Sequence, residues 1–491
     1  MNIDFHLLAL QLMAAQGILG AFDTLYHHEL TEALASKPSA RRELGIHAVR
    51  AMIYAVLFIG LSAWAWHGAW AWVLIAIFGI EIVLTLWDFV IEDLTRLLPA
   101  TERVTHTVLA INGGAFIILL ALNLPAWQAQ ATTLVWQPHG WLSVFLALCG
   151  VGVGLSGLRD AWAVRQLGKR QAMPAPAPIH FADTSQHVLV TGGTGFIGQL
   201  LVHALVRDGH QVTVLTRRPR QSAWLLDGAA RCIADLNHLP ASTRVDVVIN
   251  LAGARILGWR WTARRQAALL KSRLGPTQAV VDWIAQAVHK PQLLLSASAI
   301  GFYGVQARGD AARLDESSPA QAIFMSQLCQ QWEEVASGAQ AYGTKVACLR
   351  LGLVLGRGGA LPMMLLPVRL GAGGRMGDGQ QLFSWIHVQD VLRAVAHIWQ
   401  ASNTAGAAAD QSRAWNLTAP EAPTQMQFVR TAAQVLRRPA FVPMPGWPVR
   451  LALGEQADLL LEGQRVRPAR LKANGFVFAY PTLRSALQDL G

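Results

Sequence analysis

The chain predicts a multi-domain fold: an N-terminal bundle of five transmembrane α-helices, then an α/β domain on a doubly wound parallel sheet, then a small C-terminal domain beside its ligand cleft. Three observations carry this. Long uncharged apolar runs are confined to the first third of the sequence. Residues 187–198 read HVLVTGGTGFIG, a β-branched strand running straight into glycines at 192, 195 and 198. After it, short apolar runs alternate with helical patterns, as parallel strands joined by helices do.

The 491 residues are 53% hydrophobic and 14% charged, more apolar than an ordinary soluble chain. The net charge of +11 invites a nucleic-acid reading, but no basic recognition helix or basic–aromatic interleaving accompanies it, so no nucleic-acid partner is expected. Basic flanks of membrane helices account for part of the excess. The cysteines Cys149, Cys232, Cys329 and Cys348 form no C-x-x-C pair and read as reduced and structural. The first residues, MNIDFHLLAL, lack a basic lead-in, so no cleaved signal peptide is expected.

Five apolar segments, roughly 5–25, 47–66, 69–91, 104–124 and 141–164, approach the ~20 residues that cross a hydrocarbon core. Gln11, Gln16 and Asp23 weaken the first. Lys37, Arg41, Arg42 and Arg50 border the first connection, Arg96 and Arg103 the third, and Arg159, Arg165, Lys169 and Arg170 the end of the last span. The second connection, 67–68, and the fourth, 125–140, contain no Lys or Arg. Positive residues stay inside, so the N-terminus is expected outside and the C-terminal domain in the cytoplasm, which needs an odd number of spans. Trp64, Trp66, Trp70, Trp72, Trp127, Trp136 and Trp141 gather at the external side as an interfacial belt.

That topology collects polar residues at the cytoplasmic ends of the spans. Asp23, His27, His28 and Glu29 end the first, His47 begins the second, Asp88, Glu92 and Asp93 end the third, and His106 begins the fourth. Asp88 and Glu92 share a helix face. Such groups are costly in a membrane unless used, and could hold a metal or relay protons. The plainer reading pairs them with Arg41, Arg50, Arg96 and Arg103 or with lipid head groups. Their spacing matches no specific ligand motif, and no metal is assigned.

Residues 171–179, QAMPAPAPI, cannot continue a helix and read as a spacer. The domain limits follow: membrane domain 1–170, linker 171–186, nucleotide-binding domain 187–415 and C-terminal domain 416–491. In the 187–198 stretch Gly192 permits the turn, Gly195 lets backbone approach a pyrophosphate, and Gly198 lets helix and strand pack. Thr194, Phe196 and Ile197 complete this Rossmann-type loop. The second strand, 211–215, ends in Thr216-Arg217-Arg218-Pro219. An acidic residue here would accept bonds from a ribose 2′-hydroxyl, whereas arginines suit a 2′-phosphate, so NADP(H) is favoured over NAD(H). Strands at 231–234 and 246–250 follow, placing Asp235 and Leu236 at the adenine and Asn250, Ala252 and Gly253 beside the middle of the cofactor. A further strand, 292–296, leads to Ser298 and Tyr303.

From 187 onward the chain resembles an extended or atypical short-chain dehydrogenase/reductase. More narrowly, it is similar to bacterial "epimerase family" proteins with a small C-terminal domain of unknown function. The matching stretches are TGGTGFIG (191–198), LTRRP (215–219), NLAG (250–253), SASAIGFYG (296–304), LCQQWE (328–333), RLGLVLGRGGALP (350–362), GDGQQLFSWIHVQD (377–390), NLTAPE (416–421) and the closing run 454–487. The first third lies outside the resemblance, and a bacterial origin would put the spans in the inner membrane.

The wider superfamily sets a Ser beside a Tyr-x-x-x-Lys that moves a proton while hydride moves at the nicotinamide. Ser298 matches the serine, but Phe324 and Leu328 stand where the tyrosine and lysine would be. Tyr303 is the alternative proton carrier. His387, Cys329 and Asp390 read first as packing, a buried thiol and a helix cap. Arg350 and Arg357 are candidates for anion binding or for bracing the sheet. Residues 356–379, rich in glycine, are expected to form a loop over the site, and Gln464, Arg465 and Arg467 either face the cleft or form a basic turn. Two functions follow: hydride transfer to a small-molecule substrate from beneath the lipid bilayer, or non-catalytic NADP(H) sensing that controls the membrane part. The oligomeric state is not predicted.

Overall fold

A computed structural model describes residues 4–31, 34, 40–95, 98–171, 178–256, 258, 260–307, 309–310, 312–404 and 412–491. Lys37, Arg96 and 172–177 of the spacer lie outside them. The chain divides into two compact units, Met1–Pro176 and Ala177–Gly491.

The first unit is helical. Helices α1 (Phe5–Asp23) and α2 (Arg41–Ser62) are followed by a short strand β1 (Trp64–Trp66), helices α3 (Ala69–Thr95) and α4 (Ala100–Gln128), strand β2 (Leu134–Trp136) and helix α5 (Trp141–Gln171). Among the described residues, five helices are long and apolar enough to cross a membrane. Their outer faces leave Val83, Leu86, Val90, Ile111, Ile118, Leu148 and Leu155 exposed, a surface that lipid covers at little cost and water does not. The inner faces pack Leu10, Met13, Leu57, Phe58, Leu74, Phe116, Leu120 and Leu146 into one core.

Of the helix boundaries that differ from the sequence expectation, two have an evident local cause. The second span was expected to reach residue 66, but α2 stops at Ser62 and Trp64–Trp66 pairs antiparallel with Leu134–Trp136. Backbone pairing at this end is reinforced by Trp66, whose indole nitrogen donates to the Gly60 carbonyl at 2.8 Å. The fourth span was expected to end before Pro125, yet α4 runs through it to Gln128. A proline so close to a helix end removes one internal hydrogen bond, and the helix tolerates the loss.

The second unit is a seven-stranded sheet of parallel pairs. Its strands are β3 (His187–Thr191), β4 (Gln211–Leu215), β5 (Arg231–Ile233), β6 (Val247–Asn250), β7 (Leu293–Ala299), β8 (Lys345–Leu351) and β11 (Ser412–Leu417), in the order β11-β8-β7-β6-β3-β4-β5. A separate parallel pair joins β9 (Leu353–Leu355) to β10 (Trp385–His387). The helices are α6 (Phe196–Arg207), α7 (Pro219–Leu225), α8 (Ala263–Gln286), α9 (Phe324–Ser337), α10 (Leu361–Arg369), α11 (Val388–Thr404), α12 (Gln425–Leu436), α13 (Gly446–Leu453), α14 (Asp458–Leu461), α15 (Ala469–Ala473) and α16 (Leu483–Leu490).

Alternate strand residues face opposite sides of the sheet. Val188, Val190, Val214 and Ile249 pack on one side with Leu201, Leu205, Val395 and Trp399 from α6 and α11. Leu189, Val248 and Leu294 pack on the other with Val280, Ile284 and Ala336 from α8 and α9. Burial on both faces is why these strands read as continuous apolar runs. The chain leaves β3 towards β4 on one side and later returns as β6 on the other. The crevice between the carboxyl ends of β3 and β6 is therefore the topological switch point, where such sheets bind ligands.

The 356–379 segment is not the continuous loop expected of so many glycines, because α10 forms within it and buries Leu361, Leu365 and Val368. Helix α13 ends at Gly454, whose φ is +59°.

Candidate functional site

The switch-point turn is shaped by backbone that only glycine can follow. Gly192 has φ +68°, and a Cβ there would lie 2.6 Å from the Leu251 carbonyl carbon. A Cβ on Gly198 would meet the Gly192 carbonyl oxygen and lie 2.7 Å from the Gly193 Cα. Gly195 is the N-cap of α6 and supplies no side-chain cap, so the first N–H groups of that helix remain for an anion. Thr194 is half-buried, its carbonyl accepting from Gln199 Nε2 at 2.7 Å, and Ile197 packs against the sheet core. Phe196 carries the glycine-rich segment: a Cβ on Gly358 would come within 2.7 Å of its ring, and one on Gly356 would collide with it. The glycines at 356–359 thus let that segment lie flat on the first residue of α6.

At the end of β4, Arg217 and Arg218 are exposed. The Arg217 side chain makes no hydrogen bond or ion pair among the described residues, and the Arg218 side chain makes one hydrogen bond, to Gln221 at 3.3 Å. Both guanidinium groups are thus largely available to a ligand. Asp235 is exposed, and its carboxylate accepts from the Asn237 backbone N–H at 2.9 Å; Leu236 beside it is buried. Asn250 is wholly buried. It accepts from Thr191 Oγ1 at 2.6 Å and donates to Thr277 Oγ1 at 2.8 Å and Ser296 Oγ at 3.2 Å. Its side chain therefore ties β3, β6, β7 and α8 together rather than pointing at a ligand. The Ala252 N–H is held by Thr191 Oγ1 at 3.2 Å, and a Cβ on Gly253 would lie 3.4 Å from the Arg273 guanidinium carbon.

Ser298 and Tyr303 come together in one buried network. Ser298 Oγ donates to Glu333 Oε1 at 2.6 Å. Arg350 grips the same carboxylate, Nε to Oε1 and Nη2 to Oε2, each at 2.8 Å. Its Nη1 donates to the Tyr303 hydroxyl at 2.9 Å, and that hydroxyl donates to Asn416 Oδ1 at 2.7 Å. Burial pushes the Tyr303 phenol up, and the Glu333 carboxylate holds the Arg350 guanidinium firmly charged despite its burial. Tyr303 is 1% exposed, with its hydroxyl engaged on both sides. Glu333, inside the quoted LCQQWE stretch, escaped notice in the sequence. An exposed-looking Trp-Glu-Glu run on a helix gives no sign that an arginine five residues into a distant strand will meet it.

Phe324 and Leu328 lie in an apolar cluster with Leu269, Ala297, Cys329 and Trp332. The Phe324 ring meets Trp261 edge-on at 5.5 Å. The positions of the usual tyrosine and lysine are therefore filled by packing. Cys329 is wholly buried, and burial pushes its thiol up to about 12, which makes it a poor nucleophile. His387 stacks on Tyr480 at 3.8 Å with Nε2 3.3 Å from Asp489, and Asp390 accepts from the backbone N–H groups of Ala479 and Tyr480. Both are structural. Arg357 donates to the Asp489 carbonyl, and Arg467 pairs with Asp315 at 3.0 Å. The Gln464 carbonyl accepts from Ser384, and the Arg465 N–H donates to Gln306, so this turn is anchored by its backbone.

A parallel sheet with a glycine turn at its switch point and a bare helix N-terminus defines a dinucleotide-binding α/β protein. Residues 188–416 match the NAD dependent epimerase/dehydratase family, and 444–490 match a domain of unknown function, DUF1731. The chain is 37% identical over 314 residues to an epimerase family protein of Staphylococcus saprophyticus, covering 62% of this chain and 99% of that one. It is 36% identical to epimerase family protein YfhF of Bacillus subtilis, over 62% and 97% of the two chains. The crystal structure of human epimerase family protein SDR39U1 (isoform 2) with NADPH aligns with a TM-score of 0.54 and 36% identity, over 62% of this chain and 98% of that one. This chain belongs to the NAD dependent epimerase/dehydratase family.

Proposed function

We propose that the protein is a membrane-tethered, NADP(H)-binding oxidoreductase or epimerase acting on a small molecule, with its N-terminus outside and its α/β domain in the cytoplasm. The observation that carries the reading is the pairing of the glycine turn with two exposed arginines at the end of the next strand. The first backbone N–H groups of α6, at 196–198, would hold a pyrophosphate, with Gly192, Gly195 and Gly198 letting it approach. Arg217 and Arg218 would hold the 2′-phosphate, Asp235 and Leu236 would flank the adenine, and Ala252 and Gly253 would line the middle of the cleft. The human relative solved with NADPH supports this choice of cofactor. The bound nicotinamide would supply or accept hydride. Ser298 is the hydroxyl placed to hold a substrate oxygen, with Glu333 and Arg350 fixing its orientation; Tyr303 braces that arrangement. Domain limits of 1–170, 171–186, 187–415 and 416–491 are proposed with it.

A second reading, NADP(H) sensing without turnover, is favoured by the apolar packing of Phe324 and Leu328. Exchange of label from stereospecifically deuterated NADPH into membrane or cytosolic metabolites separates the two. Exchange supports the enzyme; binding without exchange across the whole extract supports the sensor. Gly195→Asp should abolish NADPH binding, because it sets a negative charge against the pyrophosphate site at a position already 3.2 Å from the Gly192 carbonyl. Unchanged nicotinamide fluorescence titration in that variant would refute the assignment of the loop.

A further inference from the structure

One end of the helical unit collects carboxylates and imidazoles from four helices, none of them used by the α/β domain. Helix α2 contributes Glu43 and His47, α3 Asp88 and Glu92, and α4 Glu102 and His106, each pair spaced i, i+4 and so on one helix face. The first helix contributes through a change of pitch. Beyond Asp23 it continues as a π-helical turn, Thr24–Thr31, which brings the residue at i+5 as well as i+4 back to the same side. Asp23 Oδ1 therefore meets His27 Nδ1 at 2.8 Å while Oδ2 lies 3.4 Å from His28 Nε2. Such turns recur at functional sites.

The side chains fall into two adjoining sets. Ligand atoms of Asp23, His28 and His106 all lie within 4.8 Å of one another, and so do those of Glu43, His47 and Glu92. His106 joins the sets, with Nε2 3.2 Å from Asp23 Oδ2 and Nδ1 3.2 Å from Glu92 Oε2. The His28 and His47 rings stack at 4.6 Å. Glu43 and Glu102 are 0% exposed and Glu92 1%, a concentration of buried acid whose cost imidazoles and other cations offset. Arg50 borders the cluster, paired with Glu81 and with Asp88, whose Oδ2 also lies 3.1 Å from His47 Nε2.

One buried nitrogen points to an ion. His28 is 9% exposed, and its Nε2 makes no hydrogen bond. It faces Asp23 Oδ2 at 3.4 Å and Glu102 Oε1 at 3.9 Å instead. Ligands held ~2.1 Å from one ion at tetrahedral or octahedral angles lie roughly 3.0–3.4 Å apart. Buried Asp88 Oδ1 likewise makes no hydrogen bond.

We propose that this cluster is a dinuclear site for first-row divalent transition-metal ions. One ion is held by Asp23, His28 and His106, with Glu102 in reach, and the other by Glu43, His47 and Glu92. Mixed imidazole and carboxylate donors suit iron, manganese or zinc, and helical bundles build paired-metal sites from these donors on facing helices, although with Glu-x-x-His spacing rather than the i, i+4 spacing found here. His27, between Asp23 and Thr101 Oγ1 at 3.3 Å, orients the first carboxylate.

The test uses the full chain, expressed with iron, manganese and zinc in the medium and purified in detergent. Elemental analysis should find about two ions per chain. His28→Ala and His47→Ala each remove a ligand from one set and should each lose about half of the metal, with an unchanged gel-filtration profile. If those variants do not survive extraction, the native chain decides: after metal removal and addition of cobalt(II), it should show the visible d–d bands of nitrogen–oxygen coordination, and zinc should displace them. A native chain without metal and without cobalt bands overturns the proposal, and so does full metal content in both variants.

Discussion

In the proposed cofactor site, Arg217 and Arg218 are the side chains on which cofactor preference would turn. Both are exposed and their side chains carry one protein hydrogen bond between them, so truncating them leaves the fold unaltered. Arg217→Ala and Arg218→Ala should each raise the Kd for NADPH roughly tenfold and leave that for NADH nearly unchanged; equal effects on both cofactors in a fluorescence titration would count against a 2′-phosphate contact. Arg350 is the opposite case. It is 6% exposed and locked to Glu333, which is 13% exposed. Arg350→Met strands that carboxylate among apolar neighbours and should cost about 3–5 kcal/mol, read as an early thermal transition of the α/β domain. Glu333→Gln, which removes the charge but keeps the shape, should cost less.

Among the elements, α2 and α5 depend on small residues. A Cβ added at Gly157 would lie 2.9 Å from the Ala51 Cβ, and one at Gly150 2.6 Å from Ile59 Cγ1. Glycines spaced along one face allow helices to approach closely in lipid, where dispersion contacts replace the hydrophobic drive. Gly157→Leu should therefore destabilise the helical unit by about 1–3 kcal/mol, visible as a lower melting temperature in detergent. The same substitution at Gly152, whose added Cβ would meet nothing, should be silent.

At the scale of the whole molecule, the basic residues of alternate connections predict which side of the membrane each end occupies. Alkaline phosphatase fused after His67 should be active, and fused after Gly491 inactive; the reverse pattern would invert the proposed topology. Much of the architecture is legible in sequence because it rests on local patterns. Apolar runs long enough to span, short continuous apolar strands buried on both faces, and TGGTGFIG before a helix each carry their meaning within a few turns of chain. The failures lie where distant segments meet. Trp64–Trp66 leaves the second helix because Leu134–Trp136 offers it a strand partner. Asn250 serves the sheet because Thr191, Thr277 and Ser296 converge on it. Glu333 joins Ser298 only because α9 lies beside β7 and β8. Sequence alone determined the apolar helices of the first third and the dinucleotide turn, since each depends on residue type at short spacing, and the family resemblance marked the loss of the usual tyrosine and lysine. Tertiary structure alone decided that Ser298, Glu333, Arg350 and Tyr303 form one network, and that Asp23, His28, Glu43, His47, Glu92 and His106 form another. Hydrogen bonds and ion pairs depend on separations of a few ångströms, and only the folded chain sets those between residues far apart in sequence.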